Sequence, residues 1–193
     1  MYTHFDQRFG YTTSTIHPGE YYSTGEDIII ATILGSCIAV AFYDPVKMQG
    51  GMNHFMLPGE LHSSDYYRES SGRYGMFAME LIINDLIKKG SRRENLVAKV
   101  FGGGHVLHNT SSGRIPESNI KFALDFLETE KIPVVSKDVG GYEARKVLFF
   151  ARTSRVLLKR YKGHMIKPVE REETAYLERI KKKKDDQSKA TFF

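Results

Sequence analysis

Residues 28–43 read IIIATILGSCIAVAFY, and this stretch constrains the chain more than any other. Its two apolar runs, 28–34 and 38–43, are short and rich in β-branched residues, the pattern of buried strands. Between them stands a break of three small residues, Gly35-Ser36-Cys37. A chain with two such strands in succession needs a sheet at its core. The break also holds the only cysteine of the chain. A single thiol excludes an internal disulfide and fits a reducing compartment.

The remaining chain divides by hydrophobic period. GGMNHFML, 50–57, reads as a third strand after the turn signal Asp44-Pro45, and Pro58-Gly59 ends it. Residues 59–73 are polar and rich in Ser, Tyr and Gly, which predicts an exposed loop. From about Tyr74 to Lys89 the period becomes helical, with Met76, Met79, Ile82 and Leu86 on one side and Gly90 at the stop. NLVAKVF, 95–101, is a strand that runs into Gly102-Gly103-Gly104. Pro116-Glu117 opens a second helix that runs to about Glu130. IPVVSKDV (132–139), KVLFFA (146–151) and RVLLKRY (155–161) are strands, the last two a hairpin around Arg152-Thr153-Ser154. Strands dominate, with two long helices among them. The fold class is α+β with a mixed sheet core, not a strict βαβ repeat.

The 193 residues, 41% of them hydrophobic, suit one domain over residues 1–161. Residues 162–193 form a basic tail, a short helix or disordered. Over that tail nine Lys/Arg face six Asp/Glu, so it supplies +3 of the net charge of +5 and the body is near neutral. The block Lys181–Asp186, KKKKDD, is read as solvated, with contact to nucleic acid or an acidic surface as the sharper alternative. PVEREETAYLERI ahead of it has the start signals and spacing of a short helix. No apolar run spans a bilayer and no secretory leader stands at the start, so a cytoplasmic protein is expected.

A thiol turns nucleophilic when a neighbour makes it a thiolate, most often a histidine. His54 follows Cys37 by 17 residues, and adjacent strands would bring the two side chains together. Taken alone, a buried cysteine is usually a small hydrophobe and a histidine in an apolar strand a satisfied core residue. A third group orients the imidazole in such pairs; Thr32 offers a hydroxyl, Ser36 another. Backbone amides at Gly35-Ser36-Cys37 can form an oxyanion hole, since glycine lets a carbonyl approach. His105, His108 and His62 make no tight cluster, so no metal site is expected. FGGGHV, 101–106, lacks the ending of a phosphate loop and reads as a tight turn near a site, as does Asp138-Val139-Gly140-Gly141.

These segments occur in one order: HPGEYY (17–22), TILGSCIAV (32–40), GGMNHFMLP (50–58), AKVFGGG (98–104), SNIKFALDFL (118–127) and IPVVSKDVGGYEARKVLF (132–149). Together they resemble the chemoreceptor glutamine deamidase family, CheD, over about residues 16–161. The resemblance implies a layered sandwich, three-layer and α/β/α-like, shared with some deamidating bacterial toxins. It implies a cysteine hydrolase that converts glutamines on the cytoplasmic helices of methyl-accepting chemotaxis receptors to glutamates and releases ammonia. Cys37 matches the nucleophile and His54 the general base, and no cofactor is needed. The family's orienting threonine aligns with Ala31, one residue before Thr32, and a one-residue shift in a strand moves a side chain to the other face. Thr32 is the available candidate. Ala144 before Arg145, Tyr74-Gly75-Met76 and Ser154 are further departures from the family pattern. The resemblance also implies a possible partner, a CheC-type phosphatase, and a role confined to stimulating it is the alternative to catalysis. Neither nucleic-acid binding nor membrane insertion is expected.

Overall fold

A computed structural model describes residues 1–61, 69–106, 114–162 and 166–189. Two five-stranded mixed sheets form the core of an α+β fold. The first has the order β1 (Tyr2–Asp6), β2 (Tyr11–Thr15), β4 (Ile29–Leu34), β9 (Ala144–Phe150), β10 (Val156–Tyr161). The second has the order β3 (Tyr21–Thr24), β6 (Gln49–Asn53), β5 (Ile38–Asp44), β7 (Val97–Gly102), β8 (Val134–Val139). β2 runs parallel to β4 and β7 parallel to β8; the other pairs are antiparallel. The two central strands, β4 and β5, are the two apolar runs of 28–43. Each is flanked by strands on both sides and covered on both faces, which is why neither alternates in polarity.

The layers stack as sheet, sheet, helices. Alternate residues of β4 and β9 (Ile30, Leu34, Val147, Phe149) meet Ala39, Ala41, Met52 and Phe101 of the second sheet. The opposite face of the second sheet, with Ile38, Val40, Phe42, Ala98 and Val100, is covered by α1 (Ser70–Lys88) and α2 (Ile115–Thr129). α1 and α2 thus lie on one outer side, where the resemblance implied an α/β/α-like order. The far face of the first sheet keeps a small apolar group of Ile29, Ala31, Leu148 and Phe150 under Phe9 and Tyr11.

α1 begins at Ser70, inside the stretch 59–73 that composition predicts to be a loop; residues 62–68 of that stretch lie outside the described residues. The Ser and Gly residues that open α1 serve packing instead. Ser71, Gly72 and Gly75 are buried, and a Cβ at Gly75 would stand 2.6 Å from the Phe122 ring of α2. β1, β2 and β3 (YTHFD, YTTST, YYST) were not predicted, because Thr and Tyr favour strands without marking an apolar face.

The chain after β10 forms α3 (Lys167–Lys189). Its residues Tyr176, Leu177 and Ile180 enter the core between the two sheets, and Val169 joins Val106 and Ala144. Among the described residues no helix is long and apolar enough to cross a membrane.

Candidate active site

Gly35-Ser36-Cys37 carries the chain from β4 in one sheet to β5 in the other, so the thiol sits at the seam between the sheets. His54 directly follows β6. An isolated bridge between Ile38 and Phe55 continues the antiparallel β5/β6 register past the strand end. That register sets His54 opposite Ala39, two residues beyond Cys37, so imidazole and thiol share a face as diagonal neighbours. Both residues are buried.

Thr32 lies on the interior face of β4, while Ala31 packs on the far face with Ile29, Leu148 and Phe150. The Thr32 hydroxyl donates to the carbonyl of Ile16 at 2.8 Å. Its oxygen also stands 2.8 Å from His54 Nδ1. A hydroxyl has one proton, and it is already given to Ile16, so Thr32 accepts and Nδ1–H donates. This tautomer leaves Nε2 with a free lone pair. Nε2 is buried and has no hydrogen-bond partner among the described residues. Burial first, and then the charge of His17, lower the imidazole to about 3, so the ring is neutral. A neutral imidazole fixed in one tautomer with an open Nε2 is the form a general base takes.

On the other side of Cys37 stands a residue that sequence reasoning missed. The Glu173 carboxylate of α3 is buried and receives four hydrogen bonds. The N–H groups of Gly35 and Cys37 donate to Oε1 at 2.8 and 3.0 Å. The N–H and hydroxyl of Ser36 donate to Oε2 at 2.7 and 2.6 Å. Three successive backbone amides therefore converge on one anionic group, as backbone nests do. Gly35 makes the approach possible, since a Cβ there would stand 2.7 Å from Glu173 Oε2 and 2.3 Å from Val106. Burial first, and then the Glu173 charge, push the Cys37 thiol well above its ordinary range. The signal in the sequence was an acid on the apolar stripe of a helix, Glu173 between Val169 and Tyr176-Leu177.

The turns that composition marked fix this loop from outside. Gly103 and Gly104 donate their N–H groups to the carbonyls of Cys37 and Gly35, both at 2.7 Å. Gly102 has φ +113°, and a Cβ there would stand 2.2 Å from the Cys37 carbonyl oxygen. Asn119 of α2 donates to the Ser36 carbonyl at 2.8 Å and accepts from the Leu57 N–H at 2.8 Å. Buried Arg145 holds the 138–141 turn through the Asp138 carboxylate and carbonyl, both at 2.6 Å, and the Gly140 carbonyl.

One atom each of Cys37, His54 and Glu173 lie within 4.8 Å of one another, a donor set that a metal can use. Both Glu173 oxygens are, however, already bonded to N–H and O–H donors. His105 pairs instead with Glu117 at 3.1 Å, and His62 and His108 lie outside the described residues.

A thiol, an imidazole with an open nitrogen and a cradle of amides are together the equipment for attack on a carbonyl carbon. At the seam of two sheets, such a set is able to support acyl transfer through the thiol. The family model described as CheD chemotactic sensory transduction matches residues 56–160. The chain is 48% identical over 157 residues to the "Probable chemoreceptor glutamine deamidase CheD" of Janthinobacterium sp. (strain Marseille), covering 81% of this chain and 77% of that protein. It is 46% identical over 183 residues to the protein of the same name from Methylobacillus flagellatus, covering 94% and 90%. This chain belongs to the CheD family. Among solved structures, the hypothetical protein YfiH of Bacillus licheniformis aligns with a TM-score of 0.38 at 14% identity, covering 63% of this chain and 49% of that one.

Proposed function

We propose that this protein deamidates glutamine side chains of chemoreceptors, with Cys37 as nucleophile, His54 as general base and acid, and Thr32 as the residue that positions His54. The observation that carries this reading is the fixed tautomer of His54. Thr32 accepts a hydrogen bond from Nδ1–H, which leaves the Nε2 lone pair free to receive the proton of Cys37. The family and the names of its members supply the substrate class.

Cys37 Sγ–H passes its proton to His54 Nε2, and the thiolate attacks the glutamine carboxamide carbon. The amides of residues 35–37 hold the oxyanion. The tetrahedral intermediate collapses as His54 returns the proton to nitrogen, the C–N bond breaks and ammonia leaves. Water, deprotonated by the again neutral His54, attacks the thioester. The C–S bond breaks, the thiol is restored and glutamate departs. The net reaction consumes one water and releases one ammonia per glutamine.

The test is mass spectrometry of a receptor cytoplasmic fragment incubated with the purified protein and with Cys37→Ala. Glutamine-to-glutamate conversion that depends on Cys37 supports the reading. Equal conversion by both proteins sinks the role of Cys37, and no conversion of any receptor from the same cell sinks the activity.

A further inference from the structure

We propose that α3 is an autoinhibitory strap that occupies the seat of the substrate helix, with Glu173 in the position of the glutamate product. The proposal rests on the deamidase reading above and adds the regulation of that site. Deamidation turns a carboxamide held by the 35–37 amides into a carboxylate held by the same amides. Glu173 is a carboxylate on a helix, and those amides already hold it through three N–H bonds and the Ser36 hydroxyl. A glutamine on a receptor helix would bring the same backbone form, the same side-chain length and the same carbonyl acceptor. Substrate and Glu173 therefore exclude each other.

The rest of α3 agrees with a closed state. Cys37 has no exposed surface, so nothing reaches Sγ while the helix is docked. Gly35 has ordinary backbone torsion, yet a Cβ there would strike Glu173, so the loop is shaped for a side chain to enter from this direction. The nearby carboxylate also opposes formation of the thiolate. Besides Glu173, a small set of side chains seats the helix. Buried apolar contact from α3 comes from Val169, Tyr176, Leu177 and Ile180. Tyr176 adds a hydrogen bond to Tyr74, and Glu172 an exposed pair with His17, a kind of contact that stabilises little. A helix presenting glutamine displaces α3 by competing for the amides and for this apolar seat.

The test uses the full chain with Leu177→Ser and Ile180→Ser together, which loosens α3 and leaves Glu173 and the catalytic groups in place. Cys37 is the only cysteine, so the rate of iodoacetamide labelling reads its accessibility by intact mass. If α3 is docked in nine molecules of ten, its release raises labelling about tenfold, and conversion of a receptor fragment at low concentration rises with it. Unchanged labelling in a variant that still melts cooperatively overturns the strap, even if the wild-type protein converts receptor glutamines at full rate. Faster labelling with no conversion of any receptor fragment supports the strap and overturns the deamidase reading. Should the double variant fail to fold, Tyr176→Phe, which removes only the bond to Tyr74, carries the same test. Its labelling must rise above wild type, and an unchanged rate overturns the proposal. A synthetic peptide of residues 166–189, added to the loosened protein, restores slow labelling, and its Glu173→Ala form does not. If the native peptide has no effect, or both peptides act alike, Glu173 is not the group that closes the site.

Discussion

Two buried polar clusters meet at Cys37, and they are built in opposite ways. Thr32 and His54 are 22 residues apart, Thr32 on β4 and His54 just past the end of β6, where strand pairing fixed by core packing places them. Glu173 lies 136 residues from Cys37 and arrives on a helix whose sequence is largely charged. The first cluster leaves one polar atom open, His54 Nε2, to which the proposed mechanism sends the thiol proton. The second leaves nothing open, since each carboxylate oxygen receives two donors. An open valence suits chemistry and a saturated one suits a stop. On the two proposals above, the strand-built half is the machine and the helix-built half its cover.

Substitutions separate the two halves, and the largest effects fall on the strand-built one. Cys37→Ala and His54→Ala lower glutamine conversion by about a thousandfold or more each, with unchanged circular dichroism. Residual activity above that level in either variant breaks the assignment of the strand-built half. Thr32→Val keeps the shape and removes the acceptor for Nδ1–H, so kcat falls by about a hundredfold. Thr32→Ser restores most of it, which a purely structural role for the side chain would not require. The loss must lie in kcat rather than KM, because Thr32 touches no substrate.

Asn119→Ala leaves the Ser36 carbonyl and the Leu57 N–H without their partner. It costs about 3 kcal/mol, because each is a buried group. The melting temperature then falls by roughly 6–12 °C in a calorimetric scan. Glu173→Gln, on the cover, should shift it far less. Equal shifts would show that α3 is as integral as α2.

The smallest effect is a pH dependence of stability. His54 titrates near 3 in the folded protein and near 6.5 in a free chain. The unfolded state therefore binds the proton first as pH falls. Stability that is fully present above pH 6.5 is lost on the way down to 3, at up to about 1.4 kcal/mol per pH unit. Urea unfolding at pH 7 and pH 5 should show a loss about 2 kcal/mol larger in wild type than in His54→Gln. Parallel losses contradict a buried neutral imidazole.

The two halves also differed in how far they could be read beforehand. Strands β4 and β5 were plain because a two-sided burial leaves an unbroken apolar run. Cys37, His54 and the amides of 35–37 followed from chemistry and the order of the motifs. The face of Thr32 did not, because alternation along β4 is hidden where both faces are apolar. The side chain became visible only through the pairing of Thr32 with Val147 and of Ala31 with Leu148. Glu173 was hidden by its own helix, in which charge outweighs apolar spacing. The segment reads as a short helix with a solvated end, and the acid in its apolar stripe is one charge among many. The Thr- and Tyr-rich strands β1–β3 escaped for a related reason: their burial is settled by neighbours, not by their own hydrophobicity.

The most direct test of the central claim is to trap the covalent step. A glutamine-bearing receptor fragment is mixed with the full-length protein, quenched in acid, digested and weighed. A thioester is expected on the peptide that contains Cys37, with the mass of the substrate segment less one ammonia, and no adduct in Cys37→Ala. Glutamate formation with no adduct at Cys37, and at equal rate in Cys37→Ala, would contradict it.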